Sequence, residues 1–398
     1  MRAARLGAVA GGAVVGFALG AVVTLSVQGS AVEPPELRGP VPTAPQVRPE
    51  PPQTYLVWTA GGLPDGFEHG LSTIEDLHRS VVVASDNTWL TRSFDAQGQV
   101  VDRPPHGYAI PLEVGAVNPR AYAPFVPPAD VADLLSLGDG VGILGESSAR
   151  LRGLGPGSVL VFGHVAVRIV AVFPDELVGA QELFVSRATG RRIGVTHDRY
   201  ALLQPTGRPT DHQLEKQIRG IVAPGTLVQV RAPGETPYFR QGDAVLPPVR
   251  IKLLFGEFAA RPDPARAGYL QIDPAWERTH IATEHVPILG QATCNVALFP
   301  QLRGAMRELQ ADGLAGTIHS FSGCYARRFI NRDPSAGISH HAWGIAIDVN
   351  VPQNPFGAPP DQDPRLVKVM EHWGFIWGGT FIRPDGMHFE YHRPPPST

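Results

Sequence analysis

Cysteine is nearly missing from this chain of 398 residues: only Cys294 and Cys324 occur. Neither has the close spacing of a metal-binding pair, which argues against structural zinc held by thiolates. Two thiols carried outside a reducing compartment commonly pair, so a Cys294–Cys324 disulfide is expected, with two buried free thiols as the alternative. Charge is sparse too, at 18% of residues and a net −3. That leaves no basic footprint for nucleic acid, and no nucleic-acid partner is expected. Between residues 54 and 250 there is no nucleophile elbow and no metal-ligand cluster. Gly153-Leu154-Gly155-Pro156-Gly157 lacks the Gly-Lys-Ser/Thr ending of a phosphate loop and reads as a tight turn between strands.

What is present divides the chain. Arg2 and Arg5 form a basic tip, residues 1–5, ahead of an uncharged run rich in Ala, Val, Gly and Leu. Residues 6–28 are long enough to cross a bilayer, and the basic flank puts Met1 in the cytoplasm. The expected arrangement is a single-pass anchor in the lipid bilayer with everything after it extracytoplasmic. The alternative is a secreted protein, with Gly29-Ser30-Ala31 supplying the small residues of a cleavage site. Residues 29–53, crowded with prolines from Pro34 to Pro52, form an extended linker.

The folded remainder reads as α+β, with 43% hydrophobic residues for its core and 40 prolines and 44 glycines for its turns. Residues 54–260 are expected to be a β-rich or α+β module, with strands near 159–162, 165–172, 182–185 and 226–230 and short helices near 128–137 and 211–221. Glu146-Ser147-Ser148-Ala149-Arg150, Gly155-Pro156-Gly157 and Phe173-Pro174-Asp175 resemble the extracytoplasmic core domain of bacterial transporter permeases, and a module for positioning, contact with a membrane or wall protein partner, or wall binding is expected. Residues 275–393 are expected to form a second domain of helices packed on a small, mostly antiparallel sheet. Phe299, Leu302, Met306 and Leu309 share one face of a helix over 299–311, and Asp363-Pro364 opens another that stops at Gly374.

The chemistry lies in that second domain. Ser339-His340-His341-Ala342-Trp343-Gly344-Ile345-Ala346-Ile347-Asp348 is followed about forty residues later by Asp385-Gly386-Met387-His388-Phe389-Glu390. A hydrolytic zinc (Zn2+) takes three protein ligands and leaves a fourth position open. His341, Asp348 and His388 fit as ligands, with His340 a competitor for His341. On strands of period two, Ala346 and Asp348 share a face, as do His388 and Glu390, and the small Ala346 leaves room beside Asp348. Asp385, in an Asp-Gly turn, is placed as the proton-transfer base, and Glu390 supports the ligands as the rival base. Trp343 and Trp377 are candidate walls for substrate, or core aromatics.

These segments resemble the bacterial cell-wall zinc peptidases: D-alanyl-D-alanine carboxypeptidases and dipeptidases of the VanY and VanX type, and L-alanyl-D-glutamate endopeptidases. The pattern Ser-x-His-x-x-Gly-x-Ala-x-Asp falls on Ser339, His341, Gly344, Ala346 and Asp348, and Asp/Glu-x-x-His on Asp385 and His388. The resemblance implies that Arg328, with Arg327 as alternative, binds substrate or the transition state, and that Ser339 lies at the substrate site. It implies zinc as cofactor and peptidoglycan peptides as partners. Asp rather than Glu at 385 tilts the expectation toward an L-alanyl-D-glutamate-type endopeptidase, with D-alanyl-D-alanine carboxypeptidase as the alternative. A catalytically silent wall-binding or scaffolding protein is the rival of a different class.

Overall fold

The structure, a computed structural model, describes residues 54–234, 240–243 and 246–395. The expected basic tip, anchor and linker lie outside the described residues. No helix among the described residues is long and apolar enough to cross a membrane.

The first part is a mixed sheet of ten strands: β1 (Tyr55–Thr59), β2 (Leu77–Leu90), β3 (Arg92–Phe94), β4 (Ile110–Val117), β5 (Val141–Gly145), β6 (Val159–Phe162), β7 (Val165–Phe173), β8 (Leu183–Ser186), β9 (Asp198–Pro205) and β10 (Val228–Arg231). They lie in the order β10-β1-β9-β2-β4-β8-β5-β7-β6-β3. Pairing is antiparallel except between β4 and β8 and between β5 and β7. β4 is buried along its whole length. Alternate side chains feed two cores: Ile143 and Phe184 enter one, Leu144 and Val185 the other. The helix Asp211–Arg219 covers a third cluster, and its start is fixed by a capping box between Thr210 and Gln213. The stretch from Gly153 to Gly157, expected between two strands, instead follows the helix Glu146–Arg152, which Gly153 closes at φ 65°. The physical reason is Arg152, whose guanidinium is buried against Glu182 and Glu257 and ties that helix down.

The second part begins with the helix Pro248–Phe255, whose Ile251 and Phe255 enter a core that runs on to Tyr391. Two hairpins follow, β11 (Ala260–Pro262) with β12 (Leu270–Ile272) and β13 (Ile281–Val286) with β14 (Gly290–Asn295). The last sheet has the order β15-β16-β18-β17, all antiparallel: β15 (Phe321–Gly323), β16 (Ala346–Val349), β17 (Phe375–Trp377) and β18 (His388–Tyr391). The helix Phe299–Ala311 buries Phe299, Leu302, Met306 and Leu309, the face its spacing predicts. The helix Pro364–His372 is capped by Asp363, whose carboxylate accepts from the Arg365 amide at 2.8 Å. The fold is thus α+β. Cys294 and Cys324 are joined in a disulfide with Cα atoms 5.3 Å apart, which links β14 to the segment after β15.

The two parts are fused through buried charge. Lys252 reaches back to Glu182 at 2.8 Å, and Arg152 bonds both Glu182 and Glu257.

Candidate metal centre

β16 and β18 pair so that Asp348 faces His388 and Ala346 faces Glu390. Two carboxylates and an imidazole therefore project from one face, with the methyl of Ala346 leaving space among them. His341 arrives from a single helical turn, His340–Trp343, that is closed by Gly344 at φ 69°. A Cβ at Gly344 would lie 2.6 Å from the Asn295 amide, so this tight entry into β16 requires glycine. One donor atom from each of His341, Asp348 and His388 falls within 4.8 Å of the others, the one such group found among the described residues.

The outer nitrogens decide what the inner ones can do. His341 Nδ1 lies 2.8 Å from the Cys324 carbonyl, which can only accept, so Nδ1 carries the proton. Its Nε2 then presents a lone pair 3.3 Å from Asp348 Oδ2 and has no hydrogen-bond partner. His388 Nε2 lies 3.0 Å from Glu390 Oε2 while Nδ1 faces Asp348 Oδ1 at 3.1 Å. One nitrogen of each imidazole thus converges on one carboxylate, a place that a proton on His388 Nδ1 or a metal cation can fill. The donor set, two nitrogens and one oxygen with their far sides tied off, fits zinc.

Electrostatics follow the same geometry. Burial disfavours ionised Asp348, but the flanking imidazoles outweigh it and hold the carboxyl well below the usual carboxylate range. Burial likewise opposes charge on His388, yet its hydrogen bonds to Asp348 and Glu390 push it up to about 10 in the metal-free protein. Glu390 is held far below its ordinary value against burial by His340 and His388. His340 Nδ1 lies 2.7 Å from Glu390 Oε2, so His340 is turned toward this supporting carboxylate and stands outside the donor group.

Asp385 precedes β18 in a turn in which the His388 amide donates to the Asp385 carbonyl at 3.0 Å. Its Oδ1 is buried without a hydrogen-bond partner, and burial raises its pKa. Arg328 lines the same cleft and lowers that pKa by its charge, with no side-chain hydrogen bond or ion pair of its own among the described residues. Arg327 points elsewhere, 3.5 Å from Glu277. Ser339 lines the cleft as well.

The tryptophans do not line it. Trp343, 2% exposed, packs on Phe258 and donates to the Gly256 carbonyl, so it belongs to the core. Its place is dictated by the helical turn that aims His341 into the cleft and sends the residue two positions on the other way. Trp377 stacks on Phe389, and its Nε1 donates to the Gly386 carbonyl at 2.8 Å, which steadies the turn bearing Asp385 from behind.

A polar scaffold under Asp348 escaped the sequence reading. Asn350, at φ 56°, accepts from the amides of His319 and Ser320 and donates to the Thr317 carbonyl and Gln362 Oε1. Gln362 in turn donates to the carbonyls of Val349 and Gly386, tying β16 to the Asp385 turn. The available signal was weak: an asparagine closing a strand is ordinary loop chemistry.

Residues 332–391 match the sequence pattern of a peptidase family described as D-alanyl-D-alanine carboxypeptidase. The matched segment carries His341, Asp348, Asp385, His388 and Glu390 and starts after Arg328. The match supports a zinc-dependent peptidase, a hydrolase. No curated protein matches the chain. Among solved structures, the periplasmic region of MacB from Actinobacillus actinomycetemcomitans is similar at 13% identity and a TM-score of 0.30, over 45% of this chain and 86% of its own. The extracellular domain of the noncanonic ABC-type transporter YknZ from Gram-positive bacteria is similar at 13% identity and a TM-score of 0.30, over 45% of this chain and 98% of its own. Similarity at that level carries no argument about this protein.

Proposed function

We propose that the protein is an extracytoplasmic zinc peptidase that hydrolyses stem peptides of peptidoglycan, with His341, Asp348 and His388 as the metal ligands. The observation that carries this reading is the convergence of three donor atoms whose outer sides are already engaged, beside an unpartnered buried carboxylate. A zinc ion held there supplies Lewis acidity and a water of lowered pKa. The protein's own groups do the rest. Asp385 accepts the proton of the attacking water and returns it to the leaving amine, a task for which its raised pKa suits it. Arg328, free to turn into the cleft, stabilises the developing oxyanion or binds a substrate carboxylate. Glu390 holds His388 by its outer nitrogen and excludes that nitrogen from the cleft.

The bond cut is the one between L-alanine and D-glutamate, the reading supported by aspartate at position 385. Removal of a terminal D-alanine is the second reading, supported by the description of the matched family. The disulfide supports a compartment outside the reducing cytosol, and residues 6–28 and 29–53 are proposed to act as membrane anchor and spacer.

The test combines metal content with product analysis. The full chain should carry about one zinc per molecule, and digestion of purified muropeptides followed by mass analysis should release a peptide beginning with D-glutamate. Release of free D-alanine alone would select the carboxypeptidase reading. A zinc-loaded protein that cleaves no muropeptide would leave the scaffolding alternative.

A further inference from the structure

The cleft that holds the metal donors is not built by the second part alone. Its volume is about 660 Å³, and its lining includes Gly62 and Asn87 of the ten-stranded part and Arg240 and Asp243 of the segment after β10, together with Arg328 and Asp385 of the peptidase part. Two contacts fasten this wall onto the loops around the donors. Asp243 Oδ1 accepts from the Ile382 amide at 2.9 Å, three residues before Asp385. Arg199 of β9 bonds both Asp86 and the Ser335 carbonyl, just ahead of the His341 turn. A Cβ added at Gly337 would lie 3.1 Å from the Asn87 side-chain nitrogen, so Asn87 stands over that glycine. The wall is stiff: Arg240 is buried and bonds Glu113 with both terminal nitrogens, at 2.7 and 3.0 Å.

From these contacts we infer that the ten-stranded part is the second wall of the substrate cleft, and that Asp243 is a positioning residue for Asp385. This rests on the peptidase reading. The turn from Phe381 to Asp385 is held from within by the Gly378 carbonyl, which accepts from the amides of Phe381 and Asp385. Ile382, between those two anchors, has its amide tied to Asp243 in the segment after β10, and Arg240 of that segment is fixed to Glu113 of β4, so the ten-stranded part helps set how far Asp385 stands from the donors. Asn87, whose side-chain amide makes no hydrogen bond among the described residues, is then free to meet the substrate main chain. The substrate that fits is a peptide long enough to meet residues of both parts, in keeping with cleavage inside a chain.

The test uses the full-length protein with two substitutions at position 243 and one at position 87. Asp243→Ala should lower kcat at least about 10-fold, in the range expected when a proton-transfer group is misplaced, with zinc content and thermal midpoint unchanged. Asp243→Asn keeps an acceptor oxygen for the Ile382 amide and should recover most of the loss, which a general effect on stability would not predict. Asn87→Asp places a negative charge in the wall and should raise KM about 3- to 10-fold at low salt for a muropeptide with free carboxylates, and little for its amidated counterpart. Wild-type kcat in Asp243→Ala, or failure of Asp243→Asn to recover activity, overturns the positioning role. Equal KM for both peptides in Asn87→Asp overturns the second wall, and this arm decides the matter should Asp243→Ala lose zinc or fold. If the wild-type chain cleaves no muropeptide the peptidase reading itself falls; if it cleaves and the variants match it, only the composite cleft does.

Discussion

At His388 Nδ1 a proton and a metal ion compete for one place, because the facing Asp348 oxygen accepts either. In the metal-free protein the imidazole is pushed up to about 10. Its folded value lies above the unfolded value near 6.5, so the stability it contributes is fully present below about pH 6.5 and is lost as pH rises through about 10. Urea midpoints of chelated protein should therefore fall between those limits, and His388→Gln should flatten the trend. An unchanged midpoint across that window in the wild type would mean that Nδ1 carries no proton. Zinc uptake near pH 7 should release about one proton, read by calorimetry in buffers of different ionisation heat. Asp385 belongs to a different class of residue. It stands in the cleft without a partner and is not one of the converging donors. Asp385→Asn should keep zinc and fold while losing roughly 10²- to 10⁴-fold in kcat. A zinc-loaded, inactive Glu390→Gln beside a near-normal Asp385→Asn would move the base to Glu390.

The elements that carry these groups are short, and close packing fixes them more than propensity does. Gly378 begins the turn that carries Asp385, and a Cβ there would fall 2.6 Å from the Asp385 carbonyl. Gly378→Ala should push that turn away and cut turnover while β16 and the His341 turn keep their metal; normal kcat in the variant would show that the turn yields freely. The helices Phe299–Ala311 and Pro364–His372 were legible because their signals are local: apolar residues at spacings of three and four, a proline in the first turn, a capping aspartate. The convergence of His341, Asp348 and His388 was legible through a period of two and one recognisable pattern. Trp343 was ambiguous because a tryptophan two residues from His341 reads the same whether its helical turn aims it at solvent or at Phe258. The Asn350 and Gln362 scaffold stayed hidden because each partner comes from a distant segment. The ten-stranded order was hidden for the same reason: β1 pairs with β9 and β10, and nothing local announces such pairings.

At the scale of the whole molecule, the junction between the two parts rests on charges with almost no exposure: Lys252 at 2%, Arg152 at 6% and Glu182 at 0%. Removing one partner strands another in a dry site, so Lys252→Met should cost on the order of 3 kcal/mol. Denaturation followed by tryptophan fluorescence and by circular dichroism should then still give one shared transition at a lower midpoint. Two separate transitions would mean that the parts unfold independently once this ion pair is gone. The disulfide has a reach beyond the loop it closes. Cys324 offers its carbonyl to His341 Nδ1, and the bond to Cys294 on β14 holds that carbonyl in place. The tautomer that leaves Nε2 bare toward Asp348 is thereby tied to the oxidation of two sulfurs. In terms of maturation, under the proposed peptidase reading oxidation comes before metal loading: a chain with both sulfurs reduced is expected to be unarmed, and closing the disulfide is expected to arm it.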